Sequence, residues 1–594
     1  MNKEKQKQKV DVVIVSSGLA TRLEPITTHL PKCLVNIGSK TALLQQIEYY
    51  TKHFNVGKFH VIVNEEFLKM VEGYLMAAGI PNCYFYSDTE FDGSAGAIFR
   101  TFSNNPILYD SNVIFNWADI IPKTKFYIDY SMPGIALNGD RCRFRYIKSL
   151  DSIIPSDNGD VIGIYYVPKG FLKKKWKIGS KPPTGDLIHL FDPKSFNPMP
   201  IFKVLDFGDM TKLKDATTFL QVCRDFNRVE IGDNYVRKYS NNKAGDKLQK
   251  IEMSWYDHLK SDELTPTAEY KSASVFKPSR NTVVAQKYIK LSRIRGTAIA
   301  QKEKSKFKYV LKAISAIKKL HVSSEARILP SKTIIRDIIK ESHEKVVQRT
   351  HRLKTLLESL GEIHSVNGIK IDSNYFNVSK ALSERLVDYY QNTVCGVYTF
   401  IHGDPNFSNM IIDLEDNVKL IDPRGYFGHN QLYGLEKYDF AKILYGCSGY
   451  DNFNEDPLYA IKGLEDGNLE LDIPPFLNNF MNLDNFFDEE TYLWLPIIWI
   501  SLAGYFSNNP IKSYSAYYYG LYLAELVKQK FSSNKNRTGR ILLDNTIATC
   551  FNEPKEFVIK TKCPGKWMLI DKETGEEYIP NSNSTQLHEM WDKQ

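Results

Sequence analysis

The 594-residue sequence has no cysteine pair that reads as a metal or redox motif. Its eight cysteines, Cys33, Cys83, Cys142, Cys223, Cys395, Cys447, Cys550 and Cys563, lie far apart, and none forms C-x-x-C. That spacing suggests neither a zinc site nor a disulfide framework, and scattered thiols fit a reducing compartment. A long apolar run is also missing. The most apolar stretch, Tyr492 to Phe506, is about 15 residues, against the roughly 20 of a membrane-spanning helix. It contains Pro496 and reads as a buried helix. The opening, Met1 to Val10, is rich in Lys and Gln and runs straight into a strand-like segment, unlike a secretory signal. There is no internal repeat and no long low-complexity linker. Lys and Arg number 77 and Asp and Glu 69, interleaved almost everywhere, for a formal charge of +8. A surplus that diffuse suits small anionic substrates and argues against a nucleic-acid surface. The expectation is a soluble, cytoplasmic chain with no membrane insertion and no nucleic-acid partner; nothing speaks for or against oligomers.

What is present is ordinary globular material, with 43% apolar, 25% charged and an ample 13% aromatic residues. The length is too great for one core and allows two or three domains. Over the first 220 or so residues, β-branched runs alternate with helical patterns. Val12–Val15, Phe59–Asn64, Tyr84–Ser87 and Val113–Asn116 read as strands, and Ala42–His53 and Glu66–Ala78 as helices. Such alternation predicts an α/β domain with a largely parallel sheet covered on both faces. Near Asp225 the pattern turns β-rich, with strands at Asn234–Ser240, Ala268–Phe276 and Asn281–Leu291 around a helix near Asp246–Lys260. Helix is expected to dominate from Phe307 to Lys530, apart from a turn-rich insert. A hairpin is expected at Phe557–Thr561 and Trp567–Asp571. The expected domains are residues 8–220, 225–535 and a small β-containing appendage at 540–594.

The opening strand leads into Ser16-Ser17-Gly18-Leu19-Ala20-Thr21-Arg22, with Pro25 and then Pro31-Lys32. Small residues after a buried strand let backbone N–H groups approach a phosphate closely. Arg22 adds a planar fork of donors and Lys32 a point charge. This stretch resembles the loop of the nucleotidyltransferases that make sugar nucleotides and CDP-alcohols. The resemblance continues through Gly93-Ser94-Ala95-Gly96-Ala97, similar to that family's nucleobase-binding turn, and Ile114-Phe115-Asn116-Trp117-Ala118-Asp119, similar to its strand ending in a metal-binding aspartate. Asn158-Gly159-Asp160 and Gly163-Ile164-Tyr165 look like the hairpin lining the acceptor pocket, and Val204-Leu205-Asp206-Phe207-Gly208 resembles the late D-x-G. The resemblance implies a Rossmann-like doubly wound fold, Mg2+ held by Asp119 and Asp206, and a nucleotide contacted by Ser17, Gly18, Thr21, Gly93, Ala95 and Gly96. Arg22 and Lys32 are then expected to hold the triphosphate and stabilise the leaving pyrophosphate. Two departures stand out: Ala20 replaces the second loop glycine, and Ser17 stands where the family usually has Ala.

A second motif is Thr399-Phe400-Ile401-His402-Gly403-Asp404-Pro405-Asn406-Phe407-Ser408-Asn409, followed by Leu420-Ile421-Asp422-Pro423-Arg424-Gly425. H-x-D-x-x-x-x-N with a later apolar-Asp pair is the pattern a kinase needs. One aspartate receives or orients the acceptor's proton, while an Asn and a second Asp hold the metal on the ATP phosphates. This half resembles the aminoglycoside phosphotransferase and choline kinase family, in particular members found with capsule and surface-glycan genes. The resemblance implies a bilobal, protein-kinase-like α+β fold. It makes Asp404 the catalytic base, Asn409 and Asp422 the Mg2+ ligands, Lys238 the ATP-phosphate lysine and Glu252 its ion-pair partner. His402 is expected to shape the loop, and the aspartate in Tyr438-Asp439-Phe440-Ala441-Lys442 to be structural. The cluster Tyr514, Tyr517, Tyr518, Tyr519 and Tyr522 is expected to be core in preference to a cage for a cationic substrate.

Together the motifs predict a bifunctional enzyme. One half phosphorylates a small sugar or alcohol with ATP; the other joins a sugar- or alcohol-phosphate to an NTP, CTP or UTP, releasing pyrophosphate for glycan precursor synthesis. The alternative reading is that only one half is catalytic and the other is a degenerate binding or scaffold module.

Overall fold

Val10 to Val15 contains a single polar residue, Asp11, and a strand so apolar is stable only when both its faces are covered. In the computed structural model this segment is the strand β1 (Lys9–Ser16), with Val12 and Ile14 fully buried. The structure describes residues 8–38, 40–90, 92–150, 152–176, 181–192, 194–220, 227–240, 242–259, 263–277, 282–455, 460–532, 557–563, 566–571 and 577–578. The chain divides into two compact units. The first holds Met1–Cys223 with Arg352–Gly361 and Phe506–Ile511; the second holds Arg224–His351, Glu362–Tyr505 and Lys512–Gln594.

In the first unit, β1 is followed by α1 (Ala42–His53), β2 (Asn55–Asn64), α2 (Leu68–Ala77), β3 (Cys83–Asp88), α3 (Ser94–Asn104) and β4 (Val113–Trp117). Thr41 starts α1 by accepting the Leu44 amide on its hydroxyl, as an N-cap does. A short strand β5 (Ile120–Pro122) precedes the long pair β6 (Gly134–Ile147) and β7 (Ser152–Val167), then β8 (Asn197–Pro200), β9 (Val204–Asp206) and α4 (Met210–Leu220). The main sheet runs β8-β6-β7-β4-β1-β2-β3. Strands β3, β2, β1 and β4 are parallel, whereas β7 is antiparallel to both β4 and β6. The result is a mixed α/β unit with a parallel-rich central sheet.

In the second unit, β10 (Asn227–Ile231), β11 (Tyr235–Ser240), β12 (Ala268–Lys277) and β13 (Thr282–Ser292) form an antiparallel sheet in the order β10-β11-β13-β12. The helix α5 (Lys243–Leu259) begins three residues before its expected start. Next come β14 (Gly296–Ala298), α6 (Lys306–Val322), β15 (Ala326–Pro330), β16 (Cys395–Phe400), β17 (Met410–Asp413), β18 (Val418–Leu420), α7 (Glu436–Cys447) and α8 (Glu489–Tyr505). Strands β14, β17 and β18 make a small sheet, and β16 pairs with β15. The expectation that helix dominates this region misses β15, β16 and the hairpin Ile461–Glu465/Asn468–Leu471. Short apolar runs such as Ala326–Leu329 carry no period long enough to separate strand from helix, and pairing partners distant in sequence decide. Phe557–Cys563 pairs with Lys566–Asp571 as an antiparallel hairpin and adds to β15, so these strands extend the second unit's sheet. The remainder of the appendage lies outside the described residues.

The run with Pro496 is α8, with Trp494 and Trp499 fully buried. Among the described residues no helix is long and apolar enough to cross a membrane. Tyr514, Tyr517, Tyr518 and Tyr519 are buried, and the Tyr517 and Tyr519 hydroxyls donate to the carbonyls of Ser373 and Ser448. They are core.

One buried carboxyl in this unit makes stability depend on pH. Glu490 is 6% exposed and accepts from the Tyr390 hydroxyl at 2.7 Å. Burial, together with the charge of Asp488, pushes it up to about 8 from 4.5. The folded state therefore binds this proton more tightly, and the stability it contributes is full below pH 4.5 and lost as pH rises through 8. Glu490→Gln is expected to flatten the fall of Tm across that window and to leave the variant more stable than the parent at pH 8.5. Parallel melting curves for the two proteins would contradict this.

Candidate functional sites

Register brings the first unit's motifs together. Val13 to Val15 of β1 face Phe115 to Trp117 of β4, and the Ala118 amide donates to the Val15 carbonyl at 3.0 Å. The loop after β1 and the turn after β4 therefore leave the sheet side by side at its carboxyl edge, where ligands of open α/β sheets bind. The Cys33 amide donates to the Ser16 hydroxyl at 3.3 Å, which brings Lys32 back to the strand end. The turn carrying Asp119 is held from behind. Gln46, fully buried on α1, donates from Nε2 to the carbonyls of Trp117, Ala118 and Ile120, and Asn116 donates to those of Trp117 and Ile120.

The late D-x-G arrives by a second pairing. Strand β9 lies antiparallel to β5, with Asp206 opposite Ile120, and the Phe207 amide donates to the Asp119 carbonyl at 3.1 Å. A Cβ built on Gly208 would sit 3.1 Å from Asp119 Oδ2, 3.2 Å from Asp206 Oδ1 and 3.8 Å from Arg22 Nη2. Two carboxylates and a guanidinium thus converge on one spot. Asp119 pairs with Lys32, and Asp206 with Lys212 of α4 at 2.6 Å. Burial works to raise the Asp119 carboxyl, but the charge and hydrogen bond of Lys32, aided by Arg22, bring it below its ordinary value. Lys212 escaped sequence reading because a single lysine six residues beyond Asp206 has no signature; only the first turn of α4 aims it.

These groups line one cleft of about 630 Å3. Ser17, Gly18, Thr21, Arg22, Lys32, Gly93, Asp119 and Asp206 all reach it, along with Trp117, Phe144 and Tyr165. A Cβ on Gly18 would meet no protein atom, which leaves open space over the loop. Gly93 has φ +107 and no room for a side chain, since a Cβ would lie 2.3 Å from the Gly185 carbonyl oxygen. Two expected nucleotide contacts do other things. Ala95 is core, with its amide given to the Gly185 carbonyl, and Gly96 makes room for the Asp92 carboxylate, which Arg100 grips with two 2.7 Å bonds. In the expected acceptor hairpin, Gly163 packs under Trp117 and Asp160 accepts the Tyr146 amide; the Asn158 side chain lies outside the described residues.

Ala20 adopts the left-handed conformation, φ 54 and ψ 31. An L-residue there costs about 1–2 kcal/mol, a penalty that glycine avoids. Ala20→Gly is expected to stabilise the first unit by about 1 kcal/mol and to leave the loop's reach into the cleft intact. Denaturant unfolding checks the first expectation and nucleotide titration the second.

In the second unit the sequence's expected partners also meet. Lys238, 7% exposed in β11, donates to Glu252 of α5 at 2.7 Å and also pairs with Asp422. Burial works against the Lys238 ammonium, yet Asp422 and Glu252 raise its pKa, so it stays charged. Gln249 reinforces the strand–helix contact by donating to the Lys238 carbonyl at 2.6 Å. Asn409 and Asp422 flank the β17–β18 hairpin, joined by the Ile421 amide donating to the Asn409 carbonyl at 3.0 Å. Asn409 Nδ2 donates to the Asp404 carbonyl at 2.9 Å.

Asp404 pairs with Lys442 of α7 at 2.9 Å. Burial opposes its ionisation, but the charge and hydrogen bond of Lys442, aided by the charge of Arg424, bring its carboxyl below the ordinary value. The loop is shaped by buried groups. Asp439 accepts the amides of His402 and Gly403, and Asp451 those of Phe407 and Ser408. His402 Nδ1 accepts the Asp404 amide, leaving the proton on Nε2, which donates to the Ile421 carbonyl at 3.0 Å. With both nitrogens engaged and burial lowering its pKa, His402 is a loop-shaping group.

No family model matches the chain, and no curated protein matches it. Solved structures resemble its N-terminal region. The inositol-1-phosphate CTP transferase from T. maritima shares 13% identity over 36% of this chain and 98% of its own, with a TM-score of 0.29. The CTP:phosphocholine cytidylyltransferase from Streptococcus pneumoniae shares 15% identity over 36% and 100%, with a TM-score of 0.29. HddC from Yersinia pseudotuberculosis, complexed with GMP-PN, shares 20% identity over 35% and 99%, with a TM-score of 0.28.

Proposed function

We propose that this chain carries two consecutive phosphate chemistries, a nucleotidyltransferase in the first unit and a small-molecule kinase in the second, for making an activated glycan precursor. The observation that carries the reading is that each unit gathers a separate cluster of carboxylates and lysines. Asp119, Asp206, Lys32, Lys212 and Arg22 form one, and Asp404, Asn409, Asp422 and Lys238 the other.

In the first unit, the phosphate oxygen of a sugar- or alcohol-phosphate attacks the α-phosphorus of an NTP, CTP or UTP, and pyrophosphate leaves. Arg22, Lys32 and Lys212 offset the repulsion between the two anions and the charge of the leaving group. Asp119 and Asp206 present hard oxygens to one spot, which suits Mg2+. Among the described residues no group of three His, Cys, Asp or Glu forms a cage, so an ion held by Asp119 and Asp206 would need phosphate and water oxygens as well. Its chemistry would be charge neutralisation on the phosphates.

In the second unit, an antiparallel sheet with a buried Lys–Glu pair to its helix, followed by a helix-rich part holding the Asp404 loop, supports a protein-kinase-like phosphotransferase. Lys238 would hold ATP phosphates, and Asn409 and Asp422 their Mg2+. Asp404 would orient the acceptor hydroxyl and take its proton. The strained Ala20 is the one feature favouring the other reading, in which the first unit binds nucleotide without turnover.

The test is paired on the full chain: Mg2+-dependent pyrophosphate release with NTPs and phosphorylated acceptors, and ADP release from ATP with sugars and alcohols. Both activities are expected. Nucleotide binding without pyrophosphate release would sink the first half of the reading, and absence of ADP release the second.

A further inference from the structure

Beside Asp404 lies a buried set of charges that the phosphotransfer reading does not use. Arg424 donates from Nη2 to both oxygens of Glu341, at 2.8 and 2.9 Å, and from Nη1 to the Tyr438 hydroxyl at 2.7 Å. Lys345 donates to Glu341 at 2.7 Å, and Lys442 pairs with Asp404 at 2.9 Å. The side chains of Arg424, Lys345 and Lys442 are only 12–14% exposed. Three cations therefore share two carboxylates, and one positive charge is left over. Arg349 adds its own charge near Lys345. Glu341 sits in a wide π-helical turn, Lys340–Glu344, between the helices Ser331–Ile339 and Lys345–Thr350, a distortion that tends to mark functional positions.

The aromatic rings here point the same way. Quaternary ammonium and other cationic substrates are recognised on open aromatic faces. The Tyr426 ring already carries the Arg424 guanidinium at 3.9 Å, and the Tyr445 ring carries Lys442 at 5.0 Å. Tyr438 has all three cations within 6.0 Å. The protein's own cations occupy these faces, so the surroundings of Asp404 repel a cationic alcohol and attract an anionic one.

We propose that the alcohol phosphorylated at Asp404 bears a negative charge of its own, a carboxylate or a phosphate, held by Lys345, Arg424 and Lys442. The inference rests on the phosphotransferase reading of the second unit. In the reaction the acceptor's hydroxyl oxygen bonds to the γ-phosphorus and the bond to the β–γ bridging oxygen breaks. ADP leaves with that electron pair, and the hydroxyl proton passes to Asp404. As Asp404 is neutralised, the Lys442 charge is freed for the substrate's anionic group.

The experiment measures ADP release by the full chain with Mg-ATP and four small alcohols: glycerol, choline, glycerate and glycerol 3-phosphate. Glycerate or glycerol 3-phosphate is expected to exceed glycerol and choline in kcat/KM by on the order of 100-fold, and the better of the two distinguishes carboxylate from phosphate. Lys345→Met should raise KM for that acceptor about tenfold with KM for ATP unchanged, and Lys345→Arg should restore it. A merely structural lysine would shift both KM values or neither. Preference for choline or glycerol, or an acceptor KM indifferent to Lys345→Met, overturns the inference while leaving the kinase reading in place. No ADP release with any alcohol ends the kinase reading and this inference with it.

Discussion

Asp404→Ala is expected to lower ATP-dependent phosphorylation by about 10³-fold, with pyrophosphate release by the same protein unchanged within twofold. The magnitude follows from the position. Asp404 is the loop's one carboxylate with a third of its side chain exposed, whereas Asp439 and Asp451 are buried and hold backbone amides. Removing it leaves Lys442 without its partner at a largely buried site, so a second variant is needed to separate chemistry from folding. Asp404→Asn keeps size and polarity, and the Asn409 bond goes to the Asp404 backbone carbonyl, which both variants retain. Both variants are expected to lose turnover while keeping the parent's ATP affinity within a few-fold. If Asp404→Asn retains more than a tenth of the parent rate, Asp404 is not the proton acceptor. If either variant also abolishes pyrophosphate release without unfolding, the two activities do not have separate sites.

The second large effect is expected in the other unit. Asp119→Asn should cut pyrophosphate release by on the order of 10²–10³-fold and leave ADP release with the preferred alcohol untouched. The side chain faces the spot that Asp206 and Arg22 also face, and Lys32 is its direct partner. Because the turn is held by Gln46 and Asn116 through backbone carbonyls, the substitution removes the carboxylate's charge without releasing the turn. Raising Mg2+ should recover part of the lost rate if the carboxylate binds the ion. Full activity of Asp119→Asn at low Mg2+ would remove Asp119 from the site. Lys212→Ala is a milder companion: it frees Asp206 from its ion pair, and it should raise KM for the NTP more than it lowers kcat if Lys212 contacts phosphate.

Much of this was legible in the chain because local rules dictated it. β-branched runs alternating with amphipathic segments specified the parallel-rich sheet, and the Ala42–His53 segment read as a helix is α1. The H-x-D-x-x-x-x-N pattern and the later apolar-Asp pair marked Asn409 and Asp422, which flank the short β17–β18 hairpin. Lys238 and Glu252 fall on a strand and the next helix, so packing one on the other joins them.

Tertiary structure decided what no local pattern encodes. The pairing of β9 with β5 brings Asp206 to Asp119 from a distant part of the first unit's chain, and a helical segment far from Asp404 in sequence supplies the Glu341 and Lys345 that charge its surroundings. Ala95 and Gly96 lie at the start of α3, in a segment whose sequence resembles a nucleotide contact, yet their neighbours Gly185 and Asp92 turn them to packing. Periodicity and spacing fix what a residue does to the chain next to it. Charge and hydrogen-bond partners act through space, and those were assigned only when distant segments closed on one another.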